Sequence, residues 1–206
     1  MTSFGVEVPV ENIPNYGCYR MLYNSQKVVN GPKFHKLKSV GDYGLADAFN
    51  TCSSLTSVEL PSTPISVGSY GCNYAFSRSG IKTVENLNLS GIGQYGCRGM
   101  FLSCANLEKV DGLSAESLSS NAFSSMFSDC SSLTSVQDLH IDNSENTNKK
   151  NGVSKCYNMF LNCNSLLSVG GIIKGLYGQR QLGGIFRNCT SLKDASKLSV
   201  EINYGS

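Results

Sequence analysis

The chain has 206 residues, 40% hydrophobic and only 16% charged, enough for one domain with a sizeable core. Its net charge of +2 comes from 17 Lys and Arg against 15 Asp and Glu. That balance argues against nucleic acid or an anionic membrane as partner, and no run of 18 apolar residues exists that could insert into a bilayer.

Residues 1–15 stand apart from the rest of the chain. Phe4, Val6, Val8 and Val10 alternate, so FGVEVPV is expected to be a strand, held at a sheet edge by Pro9. It would cap the structure that begins at residue 16 or dock it onto a larger assembly.

From residue 16 to 206 the sequence repeats. YGCYRML, YGLADAF, YGCNYAF, YGCRGMF, AFSSMF, CYNMF and GGIF mark seven units of about 26 residues, anchored on Leu22, Phe49, Phe76, Phe101, Phe127, Phe160 and Phe186. Four residues before each anchor stand Cys18, Leu45, Cys72, Cys97, Phe123, Cys156 and Leu182. One before stand Met21, Ala48, Ala75, Met100, Met126, Met159 and Ile185; three after stand Ser25, Cys52, Ser79, Cys104, Cys130, Cys163 and Cys189. Offsets −4, −1, 0 and +3 lie on one face of a 3.6-residue helix, so each unit is expected to open with a short amphipathic helix.

Next in the unit comes Cys-x-x-Leu-x-x-Val, as in Cys104, Leu107 and Val110, then alternating apolar residues such as Leu139 and Ile141. This predicts a short strand. Unit three is one residue short between Phe76 and Val84, which predicts an irregular segment there. In unit five the polar run 143–154 is expected to be an exposed loop. KLSVEINYGS ends the chain on a strand whose open edge could pair with a second copy or a larger assembly.

The nine cysteines occupy the −4 and +3 columns, whose other members are Leu, Phe and Ser. They are expected to be buried free thiols rather than disulfides or zinc ligands, and no metal or cofactor is expected. Gly91-Ile92-Gly93-Gln94-Tyr95-Gly96 matches a dinucleotide fingerprint, but Gly96 belongs to the repeated Tyr-Gly-Cys and the segment is expected to be an inter-unit turn. His35 and His140 have no metal-ligand spacing. The basic stretch from Lys27 to Lys38 is expected to be a solvated loop. No catalytic constellation stands out, so the chain is expected not to be an enzyme.

The best candidate surface is the outward face of the strands. Two residues beyond the repeat's Val or Ala stand Asn86, Gly112, Asp138, Gly171 and Lys197; four beyond stand Asn88, Ser114, His140, Ile173 and Ser199. These columns vary between units while the core columns barely do. Asn86, Asn88, Ser114, Asp138, His140, Lys197 and Ser199 are the candidate binding residues.

The strings MFSDCSSLTSV, MFLNCNSLLSV and AFNTCSSLTSV, with the weaker IFRNCTSLKDA, resemble the BspA-like leucine-rich repeat of bacterial surface proteins over roughly residues 16–202. The resemblance implies an α/β, right-handed leucine-rich-repeat solenoid of about seven helix-turn-strand units, with a parallel sheet on one side. It also implies an adhesion or interaction module whose partner is a protein or surface glycan. The alternative is a structural component of a bacteriophage virion or fibre. MTSFGVEVPVENIPN has neither a basic nor an apolar leader region. The chain is therefore expected either to act in the cytosol or a virion, or to be a piece of a longer exported chain at the bacterial cell surface.

Overall fold

A computed structural model describes residues 9–144, 154–177 and 180–203. The chain winds into stacked coils that bring twelve parallel strands together. They are β1 (Asn12–Ile13), β2 (Asn30–Lys33), β3 (Ser39–Val40), β4 (Ser57–Glu59), β5 (Ile65–Val67), β6 (Thr83–Glu85), β7 (Asn88–Ile92), β8 (Lys109–Asp111), β9 (Ser114–Glu116), β10 (Ser135–Asp142), β11 (Ser168–Tyr177) and β12 (Asp194–Asn203). One ten-stranded sheet runs β1-β3-β5-β7-β9-β10-β11-β12, with β6 and β8 joining it alongside β10; β2 and β4 pair separately. Each early unit thus holds two short strands, and from unit five onward the two merge into one. The strand expected over FGVEVPV falls largely outside the described residues. Pro9 and Val10 are not in a strand, and the first strand is β1, which pairs with β3.

The expected helices are absent: among the described residues there is none. Each is replaced by a ribbon of consecutive turns whose amide hydrogens alternate between two destinations. In unit two, Gly44, Ala46, Ala48, Asn50 and Cys52 each donate to the carbonyl three residues back. Tyr43, Leu45, Asp47, Phe49 and Thr51 donate instead to carbonyls of unit three, at 2.7–3.1 Å. Every backbone donor in the ribbon is therefore satisfied without a helix.

The geometry requires a left-handed residue every fourth position. Tyr43, Asp47 and Thr51 have φ of 55°, 54° and 63°, and the same offsets recur along the chain, at Asp129, Asn162 and Asn188 for example. Asn, Asp and Gly tolerate this region; a β-branched residue such as Thr51 enters it only with strain. Thr51→Asn is expected to raise the midpoint of thermal unfolding, relieving up to about 1 kcal/mol of strain.

The ribbon buries the columns read from the sequence. Leu45, Ala48, Phe49 and Cys52 are buried, as are Cys97, Met100, Phe101 and Cys104. From Phe49 through Phe76, Phe101, Phe127 and Phe160 to Phe186, the anchor rings stack with centroids 5.2–5.6 Å apart. Outside, Tyr16, Tyr43, Tyr70 and Tyr95 form a second stack at 4.8–5.1 Å. Both spacings follow the inter-strand rise of about 4.8 Å.

All nine cysteines are free. In the +3 column each thiol donates to the anchor carbonyl of the preceding unit: Cys52 to Leu22, Cys104 to Phe76, Cys130 to Phe101, Cys163 to Phe127 and Cys189 to Phe160, at 3.0–3.2 Å. The column therefore selects a small donor, which explains why only Cys and Ser occupy it.

The polar run 143–154 needs one correction, and 145–153 lie outside the described residues. Asn143 is buried, not exposed. Its Oδ1 accepts from the Leu118 amide at 2.6 Å and its Nδ2 donates to the Gly175 carbonyl at 3.1 Å, tying units four, five and six together.

Candidate functional site

The strand face brings part of the expected surface into register. Asn88 pairs with Ser114, Ser114 with His140, His140 with Ile172, and Ile172 with Ser199. The fourth member is therefore Ile172, not Ile173. Unit five spends three steps from Val136 to Leu139, whereas unit six spends two from Val169 to Gly171. Gly171 (φ 138°) permits this: a Cβ there would strike the Leu139 carbonyl. The shift turns Ile173 into the core and leaves Ile172 43% exposed. The Gly170-Gly171 pair was the available signal. His140 and Ser199 are exposed, while Asn88 and Ser114 are half-buried, the Asn88 Nδ2 donating to the Ser62 carbonyl at 2.9 Å.

The other column has a backbone role. Asn86 and Gly112 take φ of 51° and 71° where the chain turns from first to second strand, and Asp138 takes 50° at the matching place within β10. Asn, Gly and Asp are the residue types that accept this conformation. Asn86, Asp138 and Lys197 are nonetheless exposed beside the row.

Charges on this side are mostly compensated. Lys33 and His35 both reach Glu59, at 2.6 and 2.8 Å, and Lys38 reaches Glu11 at 2.9 Å. Lys33, His35 and Lys38 of the basic stretch are thus occupied within the chain. Hydrogen bonds from Lys33 and His35 hold the Glu59 carboxyl below the usual range. Asp142 is brought down to about 2, first by Ser144 and then by Lys174, whose ammonium lies 3.0 Å away.

The first-strand seam is interrupted once. β4 pairs with β2 and β6 with β8, but β4 and β6 do not pair. A slot of about 340 Å³ opens between them, lined by Ser57, Glu59, Thr83, Glu85, Asn86 and His35 among others. Its floor narrows to a void of about 40 Å³ against Val58, Leu60, Ile81, Val84 and Phe101. The cause is legible on both sides. Unit three covers Phe76 to Val84 in eight steps, against nine from Phe49 to Val58. Unit two takes seven steps from Val58 to Ile65, through Pro61 and Pro64, where Val84 to Leu89 takes five. Of the expected site residues, only Asn86 lines the slot.

The tyrosines on the ribbon were missed as a surface. Arg20 sits over the rings of Tyr19 and Tyr23 at 5.1 and 5.3 Å, and Arg98 over Tyr74 and Tyr95 at 5.6 and 5.4 Å. The repeated Tyr-Gly was the signal.

Repeating Leu, Cys and Phe columns point inward from every coil, and the 26-residue spacing fits one turn of the solenoid. These repeated columns resemble those of leucine-rich repeats. No protein-family model matches the sequence, and no curated protein matches it. Among solved structures, the chain is similar to a leucine-rich repeat protein from Bacteroides ovatus, at 17% identity and a TM-score of 0.40, over 97% of this chain and 62% of that one. It is similar to a leucine-rich repeat protein of T. pallidum at 17% identity and a TM-score of 0.42, over 96% and 73% of the two chains. A leucine-rich cell surface protein of Faecalibacterium prausnitzii is similar at 15% identity and a TM-score of 0.39, over 98% and 60%. The chain thus spans 60–73% of the length of these leucine-rich repeat neighbours.

Proposed function

We propose that this chain is a non-enzymatic protein-interaction module that binds through the outward face of β7 to β12. The observation that carries the reading is the row Asn88–Ser114–His140–Ile172–Ser199. It crosses five coils in register, and its chemistry changes at nearly every step. Inward columns repeat because the core demands it; no such demand acts on this row. Solenoids use laterally extended faces of this kind to engage partners. A protein is favoured over a glycan because the row places an exposed aliphatic side chain, Ile172, beside His140 and carries no Tyr, Phe or Trp on which a sugar ring could stack.

The purified chain can be screened on an array of immobilised proteins and glycans. Binding to a protein is expected, weakened about tenfold or more by His140→Glu with Ile172→Arg, and unchanged by Tyr157→Ala on the ribbon. Binding confined to glycans, or indifferent to the double substitution, would overturn the reading.

A further inference from the structure

We infer that the slot between β4 and β6 receives a lysine or arginine side chain presented by a short extended segment of a partner protein. This goes beyond the strand-face reading and can fail or stand independently of it.

The slot is closed at both ends. On one side the Gly80 amide donates to the Cys52 carbonyl at 3.3 Å; on the other the Asn88 side chain donates to Ser62 and β5 pairs with β7. Between these closures two strands of three residues each face one another without pairing. A single short extended segment matches that interval, and facing strand edges supply the backbone partners such a segment takes. The opening is therefore too short for a long added strand.

The lining specifies the side chain. The floor is apolar, formed by Val58, Leu60, Ile81 and Val84. The rim is polar, with Glu59, Glu85, Ser57, Thr83, Asn86 and His35, the last bound to Glu59; its two carboxylates are Glu59 and Glu85. Glu59 already holds Lys33 and His35, whereas Glu85 has no cation within ion-pair distance among the described residues; Lys109 is paired with Asp111 and acts on Glu85 only at longer range. An aliphatic stem over an apolar floor, ending in a cation beside a carboxylate, is how Lys and Arg pack. A ligand cation would complete at Glu85 what Lys33 completes at Glu59.

The test is an NMR titration of the whole chain with the capped tripeptides N-acetyl-Val-Lys-Val-amide and N-acetyl-Val-Arg-Val-amide. Saturable shifts are expected at the amides of Thr83, Glu85 and Asn86. Replacing the central lysine by norleucine should weaken binding about tenfold, and Glu85→Gln about fivefold. A one-residue insertion after Gly80, restoring the nine-step spacing on that side, should narrow the slot and weaken the shifts. Glu85 is exposed, so Glu85→Gln keeps the fold and the test does not depend on the insertion folding. Equal affinity of the norleucine peptide, indifference to Glu85→Gln, or equally strong shifts with putrescine alone would overturn the proposal.

Discussion

Phe127→Ala is expected to destabilise the chain by about 3–5 kcal/mol, the cost of emptying a large buried site. Phe127 is fully buried at the middle of the anchor stack, between Phe101 and Phe160, each 5.4 Å from its centroid. Both stacked contacts vanish at once, each worth about 0.5–1.5 kcal/mol beyond area burial. The cavity cannot close by collapse, because the coils on either side are fixed by ladder bonds such as Phe127 to the Met159 carbonyl at 2.9 Å. Phe127→Leu should cost only about 1–2 kcal/mol, since Leu22 fills the same place in unit one. Phe186→Ala at the half-buried end of the stack should cost less than the central change. Urea unfolding measures all three. A Phe127→Ala variant within about 1 kcal/mol of the parent would show that the stack is not what holds the coils together.

The second large effect is expected at alkaline pH. Burial pushes the Cys104 thiol up to about 11, and those of Cys156 and Cys163 up to about 12. An unfolded thiol ionises near 8.5. The folded chain therefore holds these protons more tightly than the unfolded one. Their contribution to stability is intact below about pH 8.5 and is lost as pH climbs towards 12. Each pH unit removes ~1.4 kcal/mol per thiol, so the three together carry on the order of several kcal/mol. Melting temperatures between pH 7 and 11.5 should fall steeply in the parent. They should fall less in a variant combining Cys104→Ser, Cys163→Ser and Cys156→Ala, whatever its starting stability. Equal slopes would mean that the thiols do not titrate as buried groups.

The sequence disclosed which residues are inside but not the backbone that puts them there. The turn ribbon has a four-residue period, marked by Tyr43, Asp47 and Thr51. A helix has about 3.6. Over two turns, an apolar stripe at −4, −1, 0 and +3 fits either. What separates them is the residue two after the anchor, occupied by Asn24, Asp129, Asn162 and Asn188 in four of the units. These residues are indifferent helix formers but ready left-handed ones. The strand-face row was legible except at Ile172, because a single dropped step at Gly170-Gly171 reverses the side chains that follow it, Ile172 and Ile173. The slot was legible only as a length anomaly in unit three. Its depth depends also on Pro61 and Pro64 in the neighbouring unit, and no reading of one unit at a time joins the two.

The missing seam has a mechanical consequence. Units three and four are joined by the ribbon ladder and by two strand pairings, β6 with β8 and β7 with β9. Units two and three share the ribbon, the single β5–β7 pairing and two isolated hydrogen bonds, Gly80 to Cys52 and Asn88 to Ser62. Bending and torsional stiffness of a stacked rod fall fastest where a tie along its rim is absent. The rod should therefore flex at this junction, with the first two coils swinging as one stiff body against the remaining five.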